Sequence, residues 1–427
     1  MSEIATDILI IGSGPAGLAA AAAASSSGLS VTVVDDNPEV GGQIWRAQVG
    51  KLTSPEAASF LTYLDNDRIR LISGAQVVST QERSVCGTTA NGTVTISFNK
   101  VILATGARER FLPFPGWTLP GVFGAGGLQA MVKGGLAMDG KRVVIAGTGP
   151  LLLAVADYLK AKGANVLLIA EQTSGAKIRR FARGLWRSPD KMVQAAALRA
   201  RLIGIPYKTD CWVTSARSGA NVSVSPSLTR GLPQPGPLVV ALTQRRRSWE
   251  IECDYLACAY HLVPNLELAS LLGCEIDDGF VSTDSLQQTT VENVLCAGEP
   301  TGIGGLEAAL IEGKIAGFAA AGMTDQAREH SGQRERTNRF TRLLDRTFGL
   351  RDELRGLAKP ETIVCRCEDV MFDQLHHFTS FREAKLQTRC GMGPCQGRIC
   401  GPATQFLFGW ERPTVRPPIF PVKMEDL

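Results

Sequence analysis

Near its start the chain gathers an unbroken apolar run, Ile8-Leu9-Ile10-Ile11, followed by Gly12-Ser13-Gly14-Pro15-Ala16-Gly17 and a long alanine-rich stretch. A second apolar run, Leu29 to Val34, then ends in Asp35-Asp36. Strand, glycine turn, helix and acid-tipped strand within about 30 residues predict one βαβ unit with buried parallel strands. The pattern returns at Arg142 to Ile145, Ala146-Gly147-Thr148-Gly149-Pro150-Leu151-Leu152 and the strand Asn165 to Glu171. Two more buried strands are predicted, at Val101 to Leu103 and at Val294 to Cys296, the latter leading through Gly298-Glu299 into a helix that runs through Gly313. Between about residues 216 and 250 a Pro/Gly/Ser-rich stretch predicts an exposed loop or hairpin connection in a strand-rich region. Residues 324–355 turn charged, with a few apolar positions such as Phe340, Leu343 and Leu344, and read as a connecting helix with one packed face. The tail Trp410 to Val422, with Pro413, Pro417, Pro418 and Pro421, reads as extended and able to dock on this chain or on a partner.

A chain of 427 residues predicts two or three domains. Hydrophobic residues make up 44% and charged residues 20%, which describes a globular protein with ample core. The net charge of +4 is spread along the sequence, and no basic face carries interleaved aromatics, so nucleic acid is not an expected partner. Runs such as Arg245-Arg246-Arg247 read as solvated surface. The N-terminus carries acid where a secretory leader carries base, and the apolar run Leu18 to Ala24 is too short to span a bilayer. A cytoplasmic location follows as the expectation, with membrane association open only through a partner. In that compartment clustered cysteines mean metal or catalysis rather than disulfides.

In the first unit Gly12 permits the tight turn, Gly14 lets the backbone approach a pyrophosphate, and Gly17 brings helix and strand together. The helix start at Pro15 and Ala16 then faces the phosphates. Asp35, with Asp36 beside it, is placed to accept hydrogen bonds from an unphosphorylated ribose, hence FAD or NAD. Three later stretches resemble two-dinucleotide-domain flavoproteins. Gly41-Gly42-Gln43 looks like the pair that covers the pyrophosphate, and Thr105-Gly106-Ala107 like the segment where the chain leaves the FAD domain. Gly298-Glu299 resembles the closing motif whose acid, Glu here and Asp in wider relatives, holds the ribityl chain. The predicted fold is α/β, with an FAD-binding domain (1–120 and 275–323) interrupted by an NAD(P)-like insert (121–274). In the insert Leu152 stands where the fingerprint wants Gly or Ala, so a remodelled or partly filled site is expected and NAD(P) is not. These parts hold no Cys-x-x-Cys, and Cys211, Cys253, Cys258, Cys274 and Cys296 read as core residues.

Five of the eleven cysteines fall within 36 residues: Cys365 and Cys367, then Cys390, Cys395 and Cys400. A close thiolate pair followed by a second group can converge on one soft metal centre, zinc or iron–sulfur. Gly391, Gly393, Gly397 and Gly401 let the backbone wrap tightly with N–H groups toward sulfur, which favours iron–sulfur. Val364-Cys-Arg-Cys-Glu368 and Thr388-Arg-Cys-Gly-Met-Gly-Pro-Cys-Gln-Gly-Arg-Ile-Cys400 resemble the 2Fe–2S module related to bacterioferritin-associated ferredoxin. The resemblance implies the ligands Cys365, Cys367, Cys395 and Cys400. It has a small non-ligand residue where Cys390 stands, so the choice between Cys390 and Cys395 stays open. A helical linker (324–358) and a small Cys-rich domain with the Pro-rich tail (359–427) complete the predicted plan.

The likeness extends along nearly the whole chain, through Phe114-Pro-Gly-Trp117-Thr-Leu-Pro-Gly-Val-Phe123 and Gly298-Glu299. It is to the alpha (A) subunits of heteromeric FAD-dependent opine oxidases, D-hydroxyproline dehydrogenases and hydrogen cyanide synthase. It implies an FAD and 2Fe–2S electron-transfer subunit of an amine or amino acid dehydrogenase acting on CH–NH donors. An amino-acid-oxidase-like FAD beta subunit would be the partner. A small ferredoxin-like gamma subunit, together with an FMN at an interface between subunits, is a further candidate. The four histidines, His261, His330, His376 and His377, form no triad or HExxH motif, so no catalytic residue is assigned. The alternative is a self-sufficient NAD(P)H-dependent flavin and iron–sulfur reductase, against which Leu152 stands. A scaffold whose cysteines hold zinc is the third reading.

Overall fold

Continuous apolar runs make strands that are buried on both faces, and such strands pair in parallel beneath covering helices. The structure, a computed structural model, describes residues 2–45, 55–64, 66–219, 236–411 and 414–426. The chain forms two compact units, one of Met1–Arg108, Val263–Arg342 and Thr414–Leu427, the other of Glu109–Leu262 and Leu343–Pro413.

In the first unit the strand Ser2–Ile11 pairs in parallel with Val31–Asp35 on one side and Gly92–Leu103 on the other. Ile69–Ser73 extends the sheet beyond Val31–Asp35. The long strand Gly92–Leu103 is shared: its C-terminal end pairs with Val294–Cys296, and its first half carries the antiparallel hairpin of Gln76–Gln81 and Ser84–Thr89. The helix Pro15–Ser25 buries a nearly unbroken set of alanines. Small residues are needed because the helix Gly305–Ala320 lies against it so closely that a Cβ at Gly313 would overlap the Ala16 backbone and one at Gly317 the Ala20 carbonyl. In the tail Ile419 is buried with Val77, Val85 and Phe98, and its N–H donates to the Val78 carbonyl at 2.8 Å.

The second unit is built on a five-stranded parallel sheet in the order Tyr207–Thr209, Asn165–Glu171, Arg142–Gly147, Tyr255–Ala259, Val122–Gly124. Beside it Cys211–Ser218, Leu238–Gln244 and Arg247–Cys253 form an antiparallel sheet. One core joins these strands to the C-terminal region, with Leu112, Phe114, Trp117, Trp212, Leu354, Leu357 and Phe406 together. The Trp117 indole donates to the Ile363 carbonyl at 2.6 Å. Around the clustered cysteines a smaller core gathers Val364, Val370, Leu375, Phe381 and Trp410.

The two units divide the chain differently from the expected plan. The crossovers fall after Arg108 and Leu262 rather than near residues 120 and 274, because Leu112, Phe114 and Trp117 complete the insert's core. The expected linker 324–358 is split, its helix Ser331–Phe348 contributing to the first unit up to Arg342 and to the second from Leu343. The tail packs with the first unit, since its apolar Ile419 finds a hydrophobic site there. Much of the predicted 216–250 connection, at residues 220–235, and Pro413 lie outside the described residues. Among the described residues no helix is long and apolar enough to cross a membrane.

Candidate functional site

The first glycine loop is shaped by close approach. Gly12 has φ 110°, and a Cβ there would overlap the Ala104 carbonyl oxygen, so only glycine fits. A Cβ at Gly17 would overlap the Gly12 carbonyl. The Gly41 N–H donates to the Ser13 carbonyl at 2.9 Å and brings Gly42 against the loop, where an added Cβ would come 2.9 Å from the Gly14 Cα. Thr105 is pinned at the adjoining strand end: its hydroxyl donates to the Asn265 carbonyl and the Asn265 amide donates to the Thr105 carbonyl, each at 2.8 Å. Gly106 and Ala107 follow, half-buried, and Gln43 is exposed. The loop backbone stays accessible at Gly12 and Gly14, and the helix Pro15–Ser25 begins without a side-chain cap. Its orphan N–H groups remain available to an anion.

Asp35 is more committed than its position predicts. One carboxylate oxygen accepts from the Ser13 N–H at 2.5 Å and hydroxyl at 2.7 Å, and the other from the Asn37 N–H and side-chain amide at 2.8 and 2.9 Å. These four bonds use the acceptor capacity of a carboxylate. Asp35 thus shapes the loop from within, and Asp36, accepting from the Asn37 amide at 2.9 Å, is the exposed acid at the strand tip.

The Gly298 turn touches the same helix, since a Cβ there would lie 2.9 Å from the Ala16 Cβ. A residue not singled out from sequence holds this turn. Glu312 accepts from the Gly298 N–H at 2.9 Å and the Thr301 hydroxyl at 2.7 Å, with the Arg334 guanidinium 3.9 Å away. Its signal was available: the helix Gly305–Ala320 is apolar apart from a few charges, and Glu312 is almost fully buried in it. Glu299 accepts from the Gly305 N–H at 3.1 Å through Oε1, while its Oε2 is buried without a hydrogen-bond partner. Desolvation pushes its pKa up to about 7. A buried acceptor left unsatisfied calls for a donor, and a hydroxyl-bearing ligand at the Gly298 turn would supply one.

The second glycine loop has the same skeleton and a different fate. Gly147 has φ 147°, and a Cβ there would overlap the Ala259 carbonyl, just as Gly12 meets Ala104. Fully buried Glu171 plays the part of Asp35, accepting from the Gly149 N–H at 2.8 Å and the Thr173 N–H at 2.7 Å. Leu152 is absorbed by the core with Val143, Ile145, Val155 and Ile169. What covers the loop is Phe348-Gly349-Leu350-Arg351. The Phe348 carbonyl accepts from the Thr148 hydroxyl at 2.9 Å and from His261 Nε2 at 2.7 Å, and the Gly349 carbonyl accepts from the Gln172 amide at 3.1 Å. Arg351 donates through its N–H to Gln172 Oε1 at 3.2 Å and through its guanidinium to the Gln172 carbonyl at 3.0 Å. A Cβ at Gly149 would sit 3.7 Å from the Phe348 ring, which packs edge-on against Phe181. Gly147, Thr148 and Gly149 are therefore buried. His261 is structural here, and burial lowers its pKa, which keeps the ring neutral.

The thiols gather from three elements. Cys365 ends the strand Ile363–Cys365, Cys390 follows the helix Phe381–Thr388 and its left-handed cap Arg389, and Cys400 opens the helix Cys400–Phe408. Their sulfurs all lie within 4.8 Å of one another, and all three residues are buried. Hydrogen bonds from Cys390, Cys400 and the N–H groups of Gly391 and Glu368 bring the Cys365 thiol down to about 2, and that neighbour pushes Cys390 up to about 12. Cys400 is raised by the same contacts. Cys367 is exposed and in hydrogen-bond contact with half-buried Cys395. Of the four sequence-expected ligands, Cys365 and Cys400 thus meet in the buried group and Cys367 and Cys395 in the outer one, with Cys390 added to the first. Five uncombined thiols in one place form a donor set suited to a soft metal. The lone cysteines Cys211, Cys253, Cys258, Cys274 and Cys296 are all buried, and burial raises their pKa values, as for inert core thiols.

Residues 6–313 match the pyridine nucleotide-disulphide oxidoreductase family. The opine oxidase A subunit from Agrobacterium tumefaciens (strain Ach5) is 29% identical over 99% of this chain and 91% of that protein. Hydrogen cyanide synthase subunit HcnB of Pseudomonas protegens is 30% identical over 92% of this chain and 89% of that protein. L-proline dehydrogenase from P. horikoshii shares the fold, with a TM-score of 0.69 at 19% identity, covering 100% of this chain and 80% of that one.

Proposed function

The chain belongs to the pyridine nucleotide-disulphide oxidoreductase family, and from that premise we propose that it is the FAD and 2Fe–2S electron-transfer subunit of a heteromeric amine or amino acid dehydrogenase. Opines or D-hydroxyproline are the substrate class, and an amino-acid-oxidase-like FAD subunit is the partner. The contrast between the two glycine loops carries this reading: the first is accessible and has a buried, unpartnered Glu299 oxygen nearby in its unit, whereas the second is covered by Phe348–Arg351. That covering argues against NAD(P)H as the donor and so against a self-sufficient reductase. The relatives' names as subunits support an assembly of several chains, and proline in the structural neighbour's name is a secondary amine.

Bound FAD exchanges electron pairs and a 2Fe–2S cluster passes single electrons, so the two together convert one kind of transfer into the other. The chain's own residues bind and orient. Gly12, Gly14 and Gly42 admit the pyrophosphate to the N–H groups that open the helix Pro15–Ser25. With FAD bound, Glu299 Oε2 would accept a hydrogen bond from a hydroxyl of the ribityl chain, and Asp36, exposed at the strand tip, would face a ribose. The clustered cysteines hold the cluster. No residue of this chain is assigned to take a proton from the amine, and that step falls to the partner. A ferredoxin-like gamma subunit, an FMN at the interface between subunits and a cytoplasmic location belong to the same reading.

The test is anaerobic addition of hydroxyproline or an opine to the iron-loaded chain, alone and co-expressed with an amino-acid-oxidase-like subunit, read by visible and EPR spectra. Reduction of flavin and cluster only in the partner's presence is expected. Reduction of the lone chain by the amine, or bleaching by NADH, would overturn the assignment.

A further inference from the structure

We propose that Cys390 and Cys400 are interchangeable ligands at the buried side of the C-terminal metal centre, an inference that rests on the reading of these thiols as a metal site. Cys365, Cys390 and Cys400 hold their sulfurs within 4.8 Å of one another. Two thiolates on one tetrahedral metal, each about 2.3 Å from it, stand about 3.8 Å apart, so any two of the three can serve the same ion after a small adjustment. A two-iron cluster with four cysteine ligands takes two thiolates at each iron. The outer pair, Cys367 and Cys395, are in contact with each other and supply one iron. Three buried thiols then compete for the two places at the other. Cys365 is the fixed member, because among the three it accepts from backbone N–H groups, those of Gly391 and Glu368.

Cys390 and Cys400 reach Cys365 from opposite ends of one glycine-rich turn. Cys390 enters beside Gly391, where a Cβ would come 2.6 Å from the Phe381 ring, so the backbone there is tightly placed. Cys400 enters as the first residue of a nine-residue helix. In the exchange one iron–sulfur bond to Cys400 breaks and one to Cys390 forms. The Cys390 proton passes to the released Cys400 sulfur, so charge and oxidation state are unchanged.

The experiment compares the full chain with Cys390→Ala, Cys400→Ala, the double variant and Cys365→Ala, all made anaerobically with iron. Iron and sulfide per chain, EPR g values and thermal melting are measured, and the corresponding serine variants stand in for any alanine variant that fails to fold. Each single change at Cys390 or Cys400 should keep most of the wild-type iron, with a shift of the EPR signal in Cys400→Ala. The double variant and Cys365→Ala should lose it. A folded Cys400→Ala or Cys390→Ala chain as empty as the double variant would defeat the exchange and identify a single dedicated ligand. Wild-type chain that binds neither iron nor zinc would instead defeat the reading of the thiols as a metal site.

Discussion

Glu299 is held at the Gly298 turn with one carboxylate oxygen satisfied by the Gly305 N–H and the other not. Its Oε2 is buried without a donor, and desolvation holds its pKa at about 7 against an ordinary 4.5. Between those values the folded chain keeps a proton that the unfolded chain has released. The group's contribution is therefore complete below about pH 4.5 and is lost as the pH rises through about 7. The shift is worth up to about 3 kcal/mol. In the cofactor-free chain, Glu299→Gln should flatten this part of the decline, measured by urea unfolding at about pH 5 and about pH 8; an unchanged slope would refute it. Position alone nominated Asp35 and Glu299 alike. Only the hydrogen bonds distinguish them, because Asp35 already has four donors.

At the scale of elements, close helix contact and a covering segment decide what the glycine loops can do. Gly313 and Gly317 lie one helical turn apart and let the helix Gly305–Ala320 rest on Ala16 and Ala20. Gly317→Val should cost about 1–3 kcal/mol through overpacking, and weaken flavin retention by displacing the helix that opens at Pro15. Urea midpoints and bound-flavin absorbance check both, and an unaltered midpoint would contradict the packing account. Phe348→Ala should cost about 3–5 kcal/mol through the cavity left between Phe181 and Gly149. A loss below about 1 kcal/mol would mean the covering segment is loosely held. The alternation of apolar runs with glycine turns made both βαβ units legible in advance. The covering of the second loop was not, since Thr148 and Phe348 are 200 residues apart.

Across the molecule, two units each carry one part of the proposed relay: the open glycine loop lies in the first, and the clustered thiols share a unit with the insert's sheet. Metal binding should therefore stabilise the second unit alone. At a hundredfold excess of free metal over Kd the gain is about 2.7 kcal/mol. In calorimetry, metal removal should lower one unfolding transition and leave the other in place, whereas an equal shift of both would mean that the units unfold together. The amino-acid sequence by itself determined the two βαβ units, the glycine fingerprints and the presence of a soft-metal donor set, because each depends on residue type and local spacing. Tertiary structure alone decided that Phe348 closes one loop while the other stays open, that Cys390 joins Cys365 and Cys400, and that Ile419 seats the tail on the first unit. Those outcomes depend on burial and contact between distant residues, which the local pattern of apolar and polar positions does not encode.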